Sequence, residues 1–345
     1  MSDIFDKEMS CLLQPMDKLT DGPRDSMYFM QDDESFFFAR GFWHPEGSVV
    51  GKTIYIPNPK GKTMIQGRPY ESLVKVESDG EQVVVPYTEH LRRIYELYPE
   101  LPPDAHELIL TEYHVAFPRE RLVGYFDHRI SLAYSMDRYP GIKKAVETVS
   151  ELFQVPLEKL GITGSSAMGR KGADIDLVFY GTPEENMEIA HKIWGIVYSQ
   201  PERQVIEFGK MWSLRLWVEG AEICTFYEYQ DINDAPIRDC EVELVKDRVE
   251  AYGRVAGHLH SLYTPLVLNL EDVYVDDDRY DNMDLIIYDG SVRGEFNRGL
   301  HLHLHGRLIN IIKDGQKILM LDVVDGADIH RVKLREGIPH FEHHG

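Results

Sequence analysis

A chain of 345 residues, 43% apolar and 28% charged, carries enough apolar mass for two or three cores of ordinary size. Its net charge of -21 argues against a protein that coats long nucleic acid, because such proteins gain affinity by neutralising phosphates with Lys and Arg. Cys11, Cys224 and Cys240 lie far apart and form no CxxC pair, and no apolar leader or membrane-length run occurs, so the expectation is a cytoplasmic protein with no membrane partner and no disulfide framework.

In chain order, "SFFFARGFW", "SVVGKTIYIP" and "ESLVKVES" predict short strands broken by turn residues. "YTEHLRRIYELYPELPP" predicts a helix with Thr88 as its cap and Leu91, Ile94, Tyr95 and Leu97 on its apolar face. "ELILTEYHVAFPRERLVGYFDH" reads as extended chain with a turn at Pro118. The character then changes. "YPGIKKAVETVSELFQV" has helical period, "KLGITGSS" and "ADIDLVFYG" read as strands, and "TPEENMEIAHKIWGIVYS" reads as a helix capped by Thr182 with Pro183 at its first position. "QVIEFGKMWSLRLWVEGAEICTFYEY" predicts two strands joined at Glu219-Gly220. After Asp234 the chain is strand-rich, with the turn spacing of a small barrel or sandwich.

The densest chemistry lies in "GITGSSAMGRKGADIDLVFYG". A P-loop is excluded: from Gly164, Arg170 stands where the phosphate lysine belongs and Lys171 where the magnesium-binding hydroxyl belongs. A metal edge fits better. Asp174 and Asp176 are two apart in a strand pattern, so both leave one face, and two adjacent carboxylates require a cation to compensate them. A hard divalent ion suits carboxylate and phosphate oxygens. Upstream, Gly164-Ser165 ends a strand in a turn whose amides and hydroxyl suit a phosphate. A third carboxylate is expected from "EGAEICTFYEY", where Glu222, Cys224, Phe226 and Glu228 share a face. Glu222 is the first choice and Glu228 the fallback.

Gly164-Ser165, a spacer, Asp174-Ile175-Asp176-Leu177 and a later acidic residue resemble the signature of the DNA polymerase β-like nucleotidyltransferase superfamily. The flanks are also similar to archaeal and bacterial proteins with a nucleotidyltransferase domain and a turn like His44-Pro45 and Gly47. The resemblance covers about ninety residues and implies an α+β fold: a central polymerase β-like palm, a mixed sheet with helices on one face, between β-rich N- and C-terminal domains. It implies that Asp174, Asp176 and Glu222 are catalytic and hold two Mg2+ ions, with Mn2+ as the alternative. It implies that Gly164 and Ser165, or Ser166, hold the outer phosphates of a nucleoside triphosphate. Arg170, Lys171 and Arg215 would offset phosphate charge. Eight residues, Ser166 to Ala173, separate Ser165 from Asp174, at the short end of that signature. The implied reaction transfers a nucleoside monophosphate to an acceptor hydroxyl and releases pyrophosphate. The acidic surface favours a small molecule, protein or short RNA as acceptor. The expected organisation is an extension over 1–34, a β-rich domain with one helix over 35–138, a nucleotidyltransferase domain over 139–235, a β-rich domain over 236–335 and a tail over 336–345. The alternative is a degenerate fold that binds nucleotide or RNA without turnover.

"GHLHSL" and "GLHLHLHG" place His258 and His260, and His301, His303 and His305, on one face of their strands. Such strands suit a transition metal, giving a third reading as a metal-binding β protein. The simpler reading is a polar face opposite Leu300, Leu302 and Leu304.

Overall fold

The computed structural model describes residues 4–78, 81–207, 209–335 and 338–341. The period-2 aromatic segments near the N-terminus build an eight-stranded sheet. Its path runs Leu13–Pro15, Leu122–Phe126, Tyr28–Gln31, Phe36–Ala39, Ser48–Pro57, Arg68–Ser72, Thr63–Ile65, with Val115–Pro118 paired to Ser48–Pro57. The sheet curls into a half-barrel. Phe29, Phe37, Phe117 and Tyr98 fill one side and Phe36, Tyr70 and Phe126 the other, all buried. Residues before 35 are part of it: Ile4–Leu12 is a helix and Leu13–Pro15 and Tyr28–Gln31 are strands. The helix Tyr87–Leu97 forms, but Pro86 rather than Thr88 is its N-cap, and no side chain caps it.

The middle of the chain makes a five-stranded sheet in the order Leu160–Ile162, Asp174–Gly181, Ala221–Tyr229, Lys210–Val218, Gln204–Glu207. The segment expected as two strands is three, because the chain also turns between Glu207 and Lys210. Asp174–Gly181 and Ala221–Tyr229 run parallel and every other pair is antiparallel. A parallel pair needs a crossover, and the helix Pro183–Ser199 supplies it, started by a capping box between Thr182 and Glu185. Alternation sorts the strands. Ile175, Leu177, Phe179, Ile223 and Tyr227 pack against Ile142, Val146 and Val149 of the helix Pro140–Phe153 and against Ile193 and Val197. Each such burial contributes roughly 1.5–3 kcal/mol. The even-numbered residues, Asp174 and Asp176 among them, are left for the opposite face.

The C-terminal strands close a barrel. Glu241–His260, Leu266–Val275, Asp278–Ile287, Gln316–Val323 and His301–Lys313 pair in that order, and His301–Lys313 returns to Glu241–His260. One strand of 20 residues can edge both sides because its ladder shifts register at Leu244/Lys246, Lys246/Val249 and Tyr252/Arg254. Of the tail expected over 336–345, only Ile338–Phe341 is described, a strand paired with Ile329–Arg335.

These facts correct the expected fold class. Among the described residues the chain is 43% strand and 27% helix with five α-helices, organised by a half-barrel and a closed five-stranded barrel, and is not a helix-flanked palm with β-rich flanks. The physical reason is that the half-barrel packs against the Gly164–Met168 turn and one end of the central sheet. Ala167 and Met168 pack into the same cluster as Tyr28, Phe36 and Tyr70, and Arg24 reaches Glu228 across the junction. Periodicity along one segment does not report such packing. Among the described residues no helix is long and apolar enough to cross a membrane.

Candidate functional site

Asp174 and Asp176 open a strand whose register against Ala221–Tyr229 sets Asp174 beside Glu222 and Asp176 beside Cys224. Side chains of opposed residues in neighbouring strands lie close, so the third carboxylate is placed by the ladder itself. Ligand atoms of Asp174, Glu222 and Cys224 all lie within 4.8 Å of one another. The Cys224 thiol donates weakly to Asp174 Oδ2 at 3.9 Å and to Glu222 Oε1 at 3.7 Å. Burial, then the charges of Asp176, Asp174 and Glu222, raise its pKa far above the ordinary thiol range, so it stays protonated.

Asp176 is held differently, against the glycine turn. The Thr163 amide donates to the Asp176 carbonyl at 2.8 Å, and Gly164 follows with φ +63°. A Cβ on Gly164 would stand 1.8 Å from Asp176 Oδ2, a separation no side chain tolerates. Burial and the neighbouring Asp174 charge push the Asp176 carboxyl up to about 7. Arg215, Lys75 and Arg293 pull the other way. Desolvation and a like charge favour the neutral acid, and a bound cation reverses both. The oxygens of Asp174, Asp176 and Glu222 are the donor set a hard divalent cation prefers, whereas the protonated Cys224 sulfur is not.

The short spacer is accommodated by tight turns. Gly164–Met168 is a 3-10 turn ended by Gly169 at φ +71°. Gly172 then passes so near Ser165 that an added Cβ would sit 2.6 Å from its Oγ and 3.5 Å from Asp174 Oδ1. Ser165 therefore stands between the turn and the first aspartate. Ser166 does not: it is 2% exposed, with its side chain under the turn. Arg170 hydrogen-bonds the Tyr55 phenol of the half-barrel and Lys171 is exposed.

Arg215 is paired twice, to Glu207 Oε2 at 2.6 Å and to Glu222 Oε1 at 3.2 Å, with its guanidinium 4.3 Å from the Trp212 ring centroid. It shares Glu222's charge from the adjacent strand. Glu228, the fallback carboxylate, is at the buried far end of the strand, 3.4 Å from Arg24, in register with Tyr180 rather than with either aspartate. Burial holds its carboxyl well above the usual range.

Two cations that the sequence reading missed, Lys75 and Arg293, act on Asp176 from elsewhere, and a third, Arg40, acts on Arg293. Lys75 comes from a separate two-stranded hairpin, Lys75–Ser78 with Glu81–Val84. Arg293 comes from the loop after Asp278–Ile287 and lies 4.6 Å over the Phe226 ring, on the same face as Glu222 and Cys224. Arg40 acts on Arg293 from the half-barrel. No local motif marks them, since each is single and distant in sequence.

The histidines separate into two places. His258 and His260 lie toward the central sheet, His260 sharing a 2.9 Å hydrogen bond with the Tyr229 hydroxyl. On the barrel, His303 is covered by Tyr252, stacked at 4.4 Å, and meets Glu250 at 2.7 Å. Glu250, His303 and His305 bring ligand atoms within 4.8 Å of one another, while His301 pairs across to Arg254 and Val332. Comparison with protein-family models, with curated proteins and with solved structures finds no match to the chain.

Proposed function

We propose that the chain is a divalent-metal-dependent nucleotidyltransferase that moves a nucleoside monophosphate from a triphosphate to an acceptor hydroxyl. The observation that carries this reading is the register of Asp174 on Glu222, one pleat from Asp176 and directly beside the Gly164-Ser165 turn. A phosphate holder and an acidic edge in contact are the arrangement that phosphoryl chemistry needs, because the reaction demands positioning and charge neutralisation more than covalent help. Bound Mg2+ or Mn2+ would supply Lewis-acid stabilisation of the reacting phosphate and lower the pKa of the attacking hydroxyl.

The protein's own groups supply the rest. The Gly164-Ser165 turn offers an amide and a hydroxyl to the outer phosphates. Asp174 and Glu222 hold negative charge at the strand edge, and Arg215 limits their mutual repulsion. Asp176, poised near neutrality by burial, is able to carry or release a proton as the local charge changes. A triphosphate labelled at the α-phosphorus, incubated with fractionated acceptors and Mg2+, tests the proposal: wild type labels a product and Asp174→Asn and Asp176→Asn do not. Nucleotide binding unaffected by Mg2+, with no triphosphate consumed, would leave a binding module instead.

A second reading has its own observation, the convergence of Glu250, His303 and His305 on the barrel. Two imidazoles and a carboxylate suit zinc or another transition ion. Metal analysis after zinc titration tests it, the His305→Ala protein expected to lose the bound equivalent. An unchanged stoichiometry returns the cluster to hydrogen bonding alone.

A further inference from the structure

Beyond the carboxylates, a cavity of about 500 Å³ opens between the half-barrel and the closed barrel. Arg40 and Lys52 line it from the half-barrel, and Tyr288 and Gly290 from the barrel side. Two cations and two carboxylates, Asp289 and Asp325, line it, so its formal charge is balanced although the protein's net charge is -21. Arg40, Lys52 and the adjoining Arg293 are three cations, and the carboxylate among them is Asp25, 3.6 Å from Arg40 and otherwise engaged by the Gly41 amide at 2.7 Å. Asp289 and Asp325 also border the cavity, but both are committed to turns. Asp289 accepts from the Ser291 amide and hydroxyl at 2.8 Å each and from the Gly326 amide at 3.1 Å, and Asp325 accepts from the Ala327 amide at 2.9 Å.

Lys52 is the informative residue. It is half-buried, yet no carboxylate of the described residues pairs with it. The charged group acting on it is Arg40, and its Nζ lies 5.7 Å from the centroid of the Tyr87 ring. Burial, with Arg40 alongside, lowers its ammonium to about 8. An unpaired cation held partly out of water is destabilising unless an anion arrives to compensate it. The cations are also fixed in place: the Arg40 guanidinium lies so close on Gly290 that a Cβ there would be 1.9 Å from its Nη2. Arg293 connects the cavity to the acidic edge, acting on Asp176 at one side and on Arg40 at the other.

We propose that this cavity binds the oxyanion group, phosphate or carboxylate, of the acceptor molecule, with Lys52 and Arg40 as its ligands and Arg293 directing the acceptor toward Asp174 and Glu222. That the ligand is the acceptor rests on the transferase reading; that an oxyanion binds at Lys52 does not.

The test is thermal unfolding and calorimetric titration with inorganic phosphate and, separately, acetate, without divalent metal. A ligand bound by the native state alone raises the melting temperature with concentration. Wild type and Asp176→Asn are expected to show the same phosphate-dependent rise. Lys52→Met is expected to lose that rise while melting, without phosphate, at or above the wild-type temperature, since it removes a half-buried charge. Ser165→Ala is expected to keep it. A rise preserved in Lys52→Met, a rise lost in Ser165→Ala alone, or no rise in wild type with either anion overturns the site. The Ser165→Ala outcome would assign the anion to the nucleotide turn. Absence of turnover with intact, Lys52-dependent anion binding would overturn the transferase reading and leave this site standing.

Discussion

Gly164 and Asp176 occupy one space: the position a side chain would take on the glycine is 1.8 Å from the aspartate's Oδ2. The left-handed φ of +63° adds strain for any L side chain. Gly164→Ala is therefore expected to be destabilising by about 1–3 kcal/mol from backbone strain alone. It is also expected to displace the Asp176 carboxylate and abolish turnover. Urea denaturation and the labelled-triphosphate assay measure the two effects, and a stable, active variant would disprove the contact.

Asp176 makes stability depend on pH. Its carboxyl is raised from an ordinary 3.8 to about 7, so between those values the folded state holds a proton that the unfolded state has released. Stability therefore falls as pH rises from about 4 to about 7 and is level beyond. Asp176→Asn removes this dependence and is expected to melt several degrees above wild type at pH 8 without metal. Added Mg2+ is expected to raise the wild-type melting temperature more than that of the variant. Equal slopes of melting temperature against pH in the two proteins would contradict the raised acid.

The two glutamates of one strand are expected to behave oppositely. Glu222 is in register with Asp174, whereas Glu228 is buried with a strongly raised carboxyl. Glu222→Gln is expected to reduce turnover to background. Glu228→Gln, which mimics the protonated acid, is expected to leave turnover unchanged and stability within about 1 kcal/mol. Steady-state rates with a single triphosphate separate them.

Arg215 bridges Glu207 and Glu222. Under the proposed transferase reading, Arg215→Met is expected to slow turnover on the order of 10- to 100-fold, the usual effect of removing a group that orients a metal-ligating side chain. The same variant is expected to require more Mg2+ for half-maximal rate. An unchanged Mg2+ dependence would confine Arg215 to packing on Trp212.

What was readable beforehand was whatever depends on alternation along one strand. Asp174 and Asp176 on a common face, and Glu222 with Cys224 on the face of a neighbouring strand, follow from a side-chain period of two. The helix cap at Thr182 and Pro183 was equally local. The different settings of Ser165 and Ser166 were not legible, because a 3-10 turn rotates successive side chains by about 120 degrees and so carries Ser166 under the turn while Ser165 remains beside Gly172. The expected palm failed for a different reason. Helical and strand periods report which face is apolar, not which element covers it.

The sequence by itself determined the acidic pair, the glycine turn and the alternating faces, because each is decided by backbone geometry within a few residues. Tertiary structure decided the rest. It set Glu222 beside Asp174 through the parallel register and closed the barrel by returning His301–Lys313 to Glu241–His260. It also brought Arg40 and Lys52 to one cavity and set Arg293, from a loop of the barrel side, beside Arg40. Charges that far apart in the chain acquire a joint meaning only when folding removes the water between them, because Coulomb interactions strengthen as the surrounding dielectric falls.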